Sequence, residues 1–250
     1  MWRNWIMTIE LNAHERLDDL VLDGMKLIQR DDEFCFSLDT VVLAHFGTAP
    51  RSPVLDLGTG TAAIPLILTA RGVRQITGVE LNPVMADIAR RNVALNGRDD
   101  RIRIVEGDYR QLKKWVSSGY YSAVYANPPY REKSRGACSE LDGVRRARHE
   151  ETATLADVMA AVQYALKYRG RFRMVHITER LTDILEAMRQ YGIEPKTVQF
   201  IHGRPDKKAK LFLVEGVRGG SPGLDVLPPL IVHEADGAYS RAVLAMYGKT

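Results

Sequence analysis

The alternation of β-type and helical segments between residues 53 and 216 restricts the fold of this chain more than any other feature. Short apolar runs such as Val54–Leu57 predict strands, and the apolar periodicity of Pro83–Asn96 predicts a helix. Such alternation produces a mostly parallel sheet with helices on both faces. We therefore expect an α/β, doubly wound, Rossmann-like sheet. Its seven expected strands cover residues 54–57, 75–80, 102–105, 122–126, 171–177, 197–202 and 211–214, and the expected helices cover residues 61–71, 83–96, 154–168 and 181–190.

The composition describes a globular chain with a slight excess of positive charge. The 250 residues are 45% hydrophobic and have a formal net charge of +4, which is compatible with a polyanionic partner. Neither Cys35 nor Cys138 belongs to a C-x-x-C pair, and the six histidines show no metal-binding spacing. The first seven residues lack the apolar core of a signal peptide, and no apolar run is long enough for a membrane span. We expect a cytoplasmic protein with no membrane association and no bound metal.

A glycine-containing turn follows the first strand of the predicted sheet. Gly58 and Gly60 allow the backbone to turn tightly and to approach a ligand, and Glu80 ends the next strand, where it can accept hydrogen bonds from ribose hydroxyls. The spacing of Gly58, Gly60 and Ala63 also fits a dinucleotide fingerprint. However, Asp56 places a carboxylate just before the glycines, where it would repel a pyrophosphate and attract an ammonium group. The pattern therefore favours S-adenosylmethionine as the cofactor.

The sequence Asn127–Tyr130 follows the fourth strand and reads Asn-Pro-Pro-Tyr. Its two prolines make the loop rigid. The side-chain oxygen of Asn127 and the carbonyl of Pro128 can each accept an N–H of a planar amine, which would offset charge that develops as the amine attacks a methyl group. Tyr130 can stack on the ring that carries the amine. Asp108, after the third strand, is placed to accept a hydrogen bond from the adenine amine of the cofactor.

These motifs resemble those of class I methyltransferases that act on planar nitrogens. Three flanking segments narrow the resemblance to the tRNA1(Val) adenine-37 N6-methyltransferase family, and the likeness extends from about Arg16 to Tyr247. The flanking segments are Phe34–Ala44, Ala147–Glu150 and Ala238–Ser240. The resemblance implies that Phe36–Thr40 also contacts the cofactor, although the apolar residues of this region could equally form core.

From the motifs and the resemblance together we expect one structural domain, in which a methyltransferase unit of residues 51–250 follows an N-terminal segment, residues 1–50, that packs on the cofactor site. The expected cofactor-binding residues are Phe36, Asp39, Thr40, Asp56, Gly58, Thr59, Gly60, Glu80, Leu81, Asn82, Asp108, Tyr109 and Asn127. The expected catalytic residues are Asn127, Pro128, Pro129 and Tyr130.

Two clusters of positive charge could bind the phosphates of an RNA substrate. One lies directly after Tyr130, in a polar insert at residues 131–152, and the other lies between the last two strands. The expected substrate-binding residues are Arg131, Lys133, Arg135, Arg145, Arg146, Arg148, Arg204, Lys207, Lys208 and Lys210. Both clusters could also be ordinary solvated loops. Arg148–Glu150 could close over the cofactor or brace the reactive loop.

The sequence thus favours an enzyme that uses S-adenosylmethionine to methylate the exocyclic N6 amine of an adenine in RNA, with tRNA as the expected partner. We expect it to act as a monomer or weak dimer. One alternative is a glutamine N5-methyltransferase of a release factor, because a glutamine side-chain amide is also planar. The region before Val54 is short for the helical domain of such enzymes. A second alternative is a non-catalytic RNA-binding module, which the intact Asp56, Glu80 and Asn127 disfavour. A DNA adenine methyltransferase is disfavoured because no target-recognition domain is apparent.

Overall fold

A mixed nine-stranded sheet lies at the centre of the computed structural model, which describes residues 10–20, 22–33, 36–128 and 154–249. Its strands are β3 (Val54–Leu57), β4 (Ile76–Glu80), β5 (Ile102–Glu106), β6 (Tyr121–Ala126), β7 (Leu166–Ile177), β8 (Ile193–His202), β9 (Leu211–Arg218), β10 (Asp225–Val226) and β11 (Leu230–Ile231). The order is β10-β8-β9-β7-β6-β3-β4-β5, and β11 also pairs with β8. β9 runs antiparallel between β7 and β8, while the other pairs are parallel.

The expected fold class is confirmed, but the expected count of seven strands is wrong. The two additional strands, β10 and β11, are two residues long, and both pair with the outer edge of β8. A strand of two residues has no alternation of apolar and polar positions, so the sequence pattern could not indicate it. The seven longer strands are the ones that the sequence predicts.

Helices cover both faces of the sheet. The helices are α1 (Leu38–His45), α2 (Ala63–Ala70), α3 (Pro83–Leu95), α4 (Leu155–Ala165), α5 (Leu181–Gln190) and α6 (Arg241–Met246). α1, α2 and α3 pack on one face of the sheet, where Val54 and Tyr125 belong to the same apolar cluster. α4 and α5 pack on the other face against residues such as Leu55 and Phe172. The neighbours Val54 and Leu55 point to opposite faces, as the two-residue repeat of a strand requires. No helix in the described part of the chain is long and apolar enough to cross a bilayer.

Side-chain caps fix the beginnings of α3 and α4. Asn82 accepts hydrogen bonds from the first turn of α3, and Pro83 occupies its first position. Thr154 and Asp157 form a reciprocal capping box at α4. The expected end of α4 at Tyr168 is wrong, because the helix stops at Ala165 and the next residue begins β7. Residues 167–170 form a bulge there, since Tyr121 pairs with Leu166 while Ala123 pairs with Arg171.

A two-stranded hairpin before the sheet, β1 (Glu15–Asp19) and β2 (Lys26–Arg30), is absent from the sequence-based expectation. Asn92 of α3 and Asn96, which caps the end of that helix, bond to β2 as a neighbouring strand would. Asn92 accepts the N–H of Ile28 at 2.6 Å and donates to its carbonyl at 3.0 Å. Asn96 makes the same pair of bonds with Lys26, at 2.9 and 2.8 Å. Asn92 also donates to the carbonyl of Thr61 at 3.0 Å, which joins the hairpin to the glycine turn.

Candidate active site

Four neighbouring parallel strands place the main predicted site residues along one edge of the sheet. In the order β5-β4-β3-β6, Asp108 follows β5, Glu80 ends β4, the turn from Gly58 to Gly60 follows β3, and Asn127 follows β6. Adjacent strands are about 4.8 Å apart, so these groups span roughly 15 Å. This carboxyl edge is where open α/β sheets bind their ligands. The structure therefore brings these residues together as the sequence predicts.

The glycine turn adopts a conformation that ordinary residues avoid. Gly58 has φ +69° and Gly60 has φ +54°, both in the left-handed region. The N–H groups of Gly58 and Thr59 both donate to the carbonyl of Val79, at 2.9 and 3.0 Å, which attaches the turn to β4. A Cβ built on either glycine would meet no atom within 4 Å. The space beside the turn is thus open for a ligand to approach the backbone closely.

Asp56 lies beneath this turn and is completely buried. Its Oδ2 accepts a hydrogen bond of 2.6 Å from the Thr59 hydroxyl, whereas its Oδ1 has no hydrogen-bond partner among the described residues. Burial raises the pKa of Asp56 to about 7, with a smaller contribution from the negative charge of Glu80. A buried carboxylate with an unused oxygen is suited to a cationic group. The hydroxyl of Ser37, just before α1, is also buried and has no hydrogen-bond partner in the part of the chain that the structure describes; the sequence did not single it out.

Glu80 organises the backbone around the glycine turn. Its Oε2 accepts the N–H of Gly60 at 2.8 Å, and its Oε1 accepts the N–H of Asn82 at 2.9 Å. Each carboxylate oxygen can accept a further bond, so a pair of ribose hydroxyls remains compatible with this arrangement. The side chain of Asn82 is engaged in capping α3, and Leu81 between them is 50% exposed.

Asp108 is held by the residue two positions later. Its Oδ1 accepts the backbone N–H of Arg110 at 2.9 Å, and its Oδ2 accepts the guanidinium of Arg110 at 2.7 Å. These bonds hold the pKa of Asp108 below its usual range, so the group is a carboxylate at neutral pH. Tyr109 packs against the apolar layer of α4, and burial raises its pKa to about 12. The sequence did not indicate Arg110 as a partner of this acid.

The side chain of Asn127 reaches from the end of β6 to α1. Its Nδ2 donates to the hydroxyl of Thr40 at 3.3 Å. Thr40 is buried in the first turn of α1 beside Asp39. The chain entering this helix is fixed by a bond of 2.6 Å from the N–H of Phe36 to the buried side chain of Gln29. Phe36–Thr40, the segment that the family resemblance implies to contact the cofactor, therefore lies next to Asn127.

A row of polar side chains crosses the sheet behind this corner, and apart from Asp56 the sequence did not indicate its members. Asp56, Tyr125, Arg173 and Glu215 are paired in register on β3, β6, β7 and β9, and so share one face. Arg173 is only 1% exposed; it donates to Glu215 at 2.7 Å and to the hydroxyl of Tyr125 at 2.7 Å. The sequence feature that could have indicated this row is the presence of two arginines, Arg171 and Arg173, in the otherwise apolar strand predicted at residues 171–177.

Part of the predicted site lies outside the described residues. This applies to Pro129 and Tyr130, to the insert with its basic residues Arg131, Lys133, Arg135, Arg145, Arg146 and Arg148, and to Arg148–Glu150. Pro128 is described and is half-buried beside Asn127. The second basic cluster lies on the loop between β8 and β9. Because β8 is parallel to β6, this loop projects from the same edge as Asn127.

Solved structures with similar folds include a predicted O-methyltransferase and a protein in complex with MeSAdo. A predicted O-methyltransferase from Agrobacterium tumefaciens has a TM-score of 0.66 and 22% identity, over 84% of this chain and 96% of that one. P. horikoshii TYW2 in complex with MeSAdo has a TM-score of 0.57 and 13% identity, over 84% and 73% of the two chains. At these identities the likeness shows the fold.

The sequence comparisons carry the family assignment. Residues 54–141 match a family described as a methyltransferase domain. A tRNA1(Val) (adenine(37)-N6)-methyltransferase of Shewanella sp. is 26% identical over 214 residues, which cover 83% of this chain and 88% of the relative. The enzyme of the same name from Porphyromonas gingivalis is 31% identical over 200 residues, which cover 78% of this chain and 77% of the relative. With the glycine turn, the terminal acid and the asparagine corner on one edge of a methyltransferase fold, the chain belongs to the tRNA1(Val) (adenine(37)-N6)-methyltransferase family.

Proposed function

We propose that this protein transfers the methyl group of S-adenosylmethionine to the N6 amine of an adenine in tRNA. The observation that carries the proposal is the position of Asn127. Its amide stands at the end of β6, held by Thr40, directly beside the glycine turn that follows the adjacent strand β3. A planar amine bound by this amide would lie close to a ligand bound by the turn.

The residues present fit the cofactor. The Oδ1 atom of Asp56, which has no partner among residues 10–20, 22–33, 36–128 and 154–249, gives the floor of the site an acceptor for an ammonium group. The carboxylate of Glu80 suits the two ribose hydroxyls, and Asp108 suits the amine of the adenine ring. When bound, S-adenosylmethionine supplies a methyl group on a sulfonium, which is already electrophilic. Leu81, Asn82, Tyr109, Phe36 and Asp39 would border this ligand.

The protein groups at the corner act on the nucleophile. The Asn127 side-chain oxygen and the Pro128 carbonyl each accept a hydrogen bond from one N–H group of the adenine amine. These bonds favour a pyramidal nitrogen whose lone pair can attack the methyl group. As the new N–C bond forms and the S–C bond breaks, these acceptors offset the positive charge on the nitrogen. The nitrogen then releases one proton to solvent. We expect Tyr130 to hold the adenine ring by stacking.

The position of the basic loop supports a nucleic-acid substrate. The loop begins after β8 and returns into β9, and the N–H of Thr178 at the end of β7 donates to the carbonyl of Lys210 at 3.0 Å. β7 is the neighbour of β6, so the positive side chains Arg204, Lys207, Lys208 and Lys210 stand on the side of the corner away from the cofactor residues. A tRNA substrate also supports our expectation of a cytoplasmic location.

A methyl-transfer assay with several acceptors tests the proposal. Purified protein is incubated with labelled methyl donor and either unmodified tRNA or a release factor, and the tRNA nucleosides are resolved by mass spectrometry. We expect N6-methyladenosine in the tRNA and no label in the release factor. Asn127→Ala should lower turnover by about 10²-fold or more and change cofactor affinity much less. Labelled glutamine, or an equally active variant, would contradict the proposal.

A further inference from the structure

Two aromatic rings near the C-terminus form a stack at the surface, in which Tyr239 is exposed and His233 is half-buried. His233 and Tyr239 face each other across a tight hairpin, with ring centroids 5.0 Å apart and an interplanar angle of 22°. Tyr239 is 43% exposed, which is high for a large ring. Tyr239 is also the central residue of Ala238–Ser240, a segment for which the proposed methyl transfer provides no role.

The stack is held in place from below. Ser240 is buried, donates its N–H to the carbonyl of Val232 at 2.9 Å, and caps α6 with its hydroxyl. Tyr247, at the end of α6, lies 6.2 Å from Tyr239 between ring centroids and packs on the apolar core. A ring fixed in this way loses little conformational entropy when it binds a partner.

The hairpin lies at the same edge of the sheet as the reactive corner. β11 pairs with the last two residues of β8, and the N–H groups of Val232 and His233 then donate to the carbonyls of His202 and Gly203, at 2.8 and 3.1 Å. β11 pairs with the outer edge of β8 and is therefore four strands from β6 in the sheet, a separation of about 19 Å. The stack therefore stands beside the corner, at a distance that suits a nucleotide other than the reactive adenine.

Positive charge adjoins the stack. A Cβ placed on Gly237, at the hairpin turn, would lie 3.9 Å from Nη2 of Arg204. Arg204, Lys208 and Lys210 are exposed and form no ion pair within the described residues, whereas Lys207 pairs with Asp206 at 3.0 Å. The hairpin also carries Glu234 and Asp236; one oxygen of Asp236 accepts the N–H of Ala238 at 2.9 Å. Unpaired cations beside an exposed aromatic are the combination that binds single-stranded nucleic acid.

We propose that His233 and Tyr239 form a stacking platform for an unpaired base of the tRNA near the methylated adenine, while Arg204, Lys208 and Lys210 bind the adjacent phosphates. The inference rests on the proposed function and adds a recognition site to it. The platform would select for a single-stranded region around the target, because a base in a duplex has no free face to offer.

The test compares substitutions of Tyr239 by their effect on tRNA binding. Tyr239→Phe keeps an aromatic face and should bind tRNA within about twofold of the wild type. Tyr239→Leu keeps the apolar packing but removes the face, and should raise the Kd for tRNA roughly tenfold, within the range expected for loss of one base–aromatic stack. The matched control is Tyr168→Leu, because Tyr168 is 73% exposed near the start of β7, at the opposite edge of the sheet. Cofactor binding should be unchanged in all three variants.

Binding and turnover together separate the two proposals. If the wild type binds tRNA without forming N6-methyladenosine, the proposed function fails, while the Kd values of the variants still test the platform. If the wild type methylates adenine and Tyr239→Leu binds tRNA as tightly as the wild type, the platform is overturned and the proposed function stands. An equal loss of binding in Tyr168→Leu would also overturn it, since the effect would then not depend on the edge of the sheet.

Discussion

The amide of Asn127 donates from Nδ2 to the hydroxyl of Thr40, a residue 87 positions earlier in the chain, at 3.3 Å. This bond joins the end of β6 to the first turn of α1 and directs the amide nitrogen toward the helix. The orientation of the amide determines whether its oxygen can accept an N–H from a substrate. A residue of the N-terminal region thus positions the group that we propose acts on the adenine amine.

Removal of the Thr40 hydroxyl should lower turnover more than it weakens cofactor binding. Thr40→Val preserves the shape and deletes the hydroxyl, so the amide loses one hydrogen bond that is worth about 1 kcal/mol and its orientation is held less firmly. We expect kcat to fall roughly fivefold to tenfold at saturating cofactor and tRNA, and Thr40→Ser to retain most of the activity. Steady-state kinetics with calorimetric cofactor titration measure both quantities. A Kd for cofactor that rises more than kcat falls would assign Thr40 to cofactor binding instead.

Cofactor affinity should depend on pH through Asp56. Burial raises the pKa of this group from an ordinary 3.8 to about 7. A bound ammonium favours the ionised carboxylate, so binding below pH 7 must displace a proton. Affinity should therefore fall by up to about tenfold per pH unit as the pH drops from 7 to 5.5. Asp56→Asn should bind more weakly at pH 8 and lose this dependence, and an unchanging affinity of the wild type would contradict the assignment.

The same carboxyl group has the opposite effect on the stability of the ligand-free protein. Because its pKa is raised on folding, the folded chain holds a proton between about pH 4 and pH 7 that the unfolded chain has already released. The contribution of Asp56 to the free energy of unfolding therefore decreases as the pH rises through this window, and is constant above it. Asp56→Asn should consequently unfold at a higher urea concentration than the wild type at pH 8, without cofactor.

The basic loop should govern the salt dependence of tRNA binding. The triple variant replaces Lys207, Lys208 and Lys210 by Ala and so removes up to three phosphate contacts. It should bind tRNA more weakly, and the slope of log affinity against log salt concentration should become shallower by about 2 to 3. The matched control replaces Arg51, Arg74 and Lys167, which are exposed cations at the beginnings of β3, β4 and β7 on the opposite edge. Filter binding at salt concentrations between about 50 and 200 mM would measure both slopes. Equal slopes for the two triple variants would place the tRNA elsewhere.

Asn92 should be the residue that keeps the N-terminal hairpin attached. It bonds both the N–H and the carbonyl of Ile28 and the carbonyl of Thr61, and it is fully buried. Asn92→Leu would leave these backbone groups unpaired, so the free energy of unfolding should fall by about 3 kcal/mol. Asn96→Leu should cost less, because Asn96 is half-buried and water can replace its bonds. Urea denaturation measures the difference, and equal losses would contradict this reasoning.

The sequence predicted the arrangement of the site better than the details of the fold. The positions of Glu80, Asp108 and Asn127 follow from a general property of parallel sheets, whose strands all end at one edge. The β1–β2 hairpin could not be predicted in the same way, because β2 is held by the side chains of Asn92 and Asn96, which are 64 and 70 residues away in sequence. The sequence pattern around β2 does not indicate a contact with side chains so far away in the chain.

Local signals also failed where tertiary pairing overrides them. The helix expected over Thr154–Tyr168 ends earlier, and Gly170, which follows that range, lies within a bulge of β7, where a Cβ would be 2.8 Å from the carbonyl of Lys167. The pairing of buried Leu166 with Tyr121 ends the helix earlier. The partnership of Asp108 with Arg110 was missed for a different reason, since it depends on the geometry of the turn after β5.

The buried pair of Arg173 and Glu215 restricts how these two strands can change over evolution. Replacing Glu215 alone would leave the guanidinium of Arg173, which has almost no access to water, without its carboxylate partner. Replacing both residues by apolar ones of similar volume can be tolerated. A single substitution of either Arg173 or Glu215 is therefore unfavourable, whichever of the two changes first. Descendants of one ancestral gene should carry the acid and the base together, or have lost both.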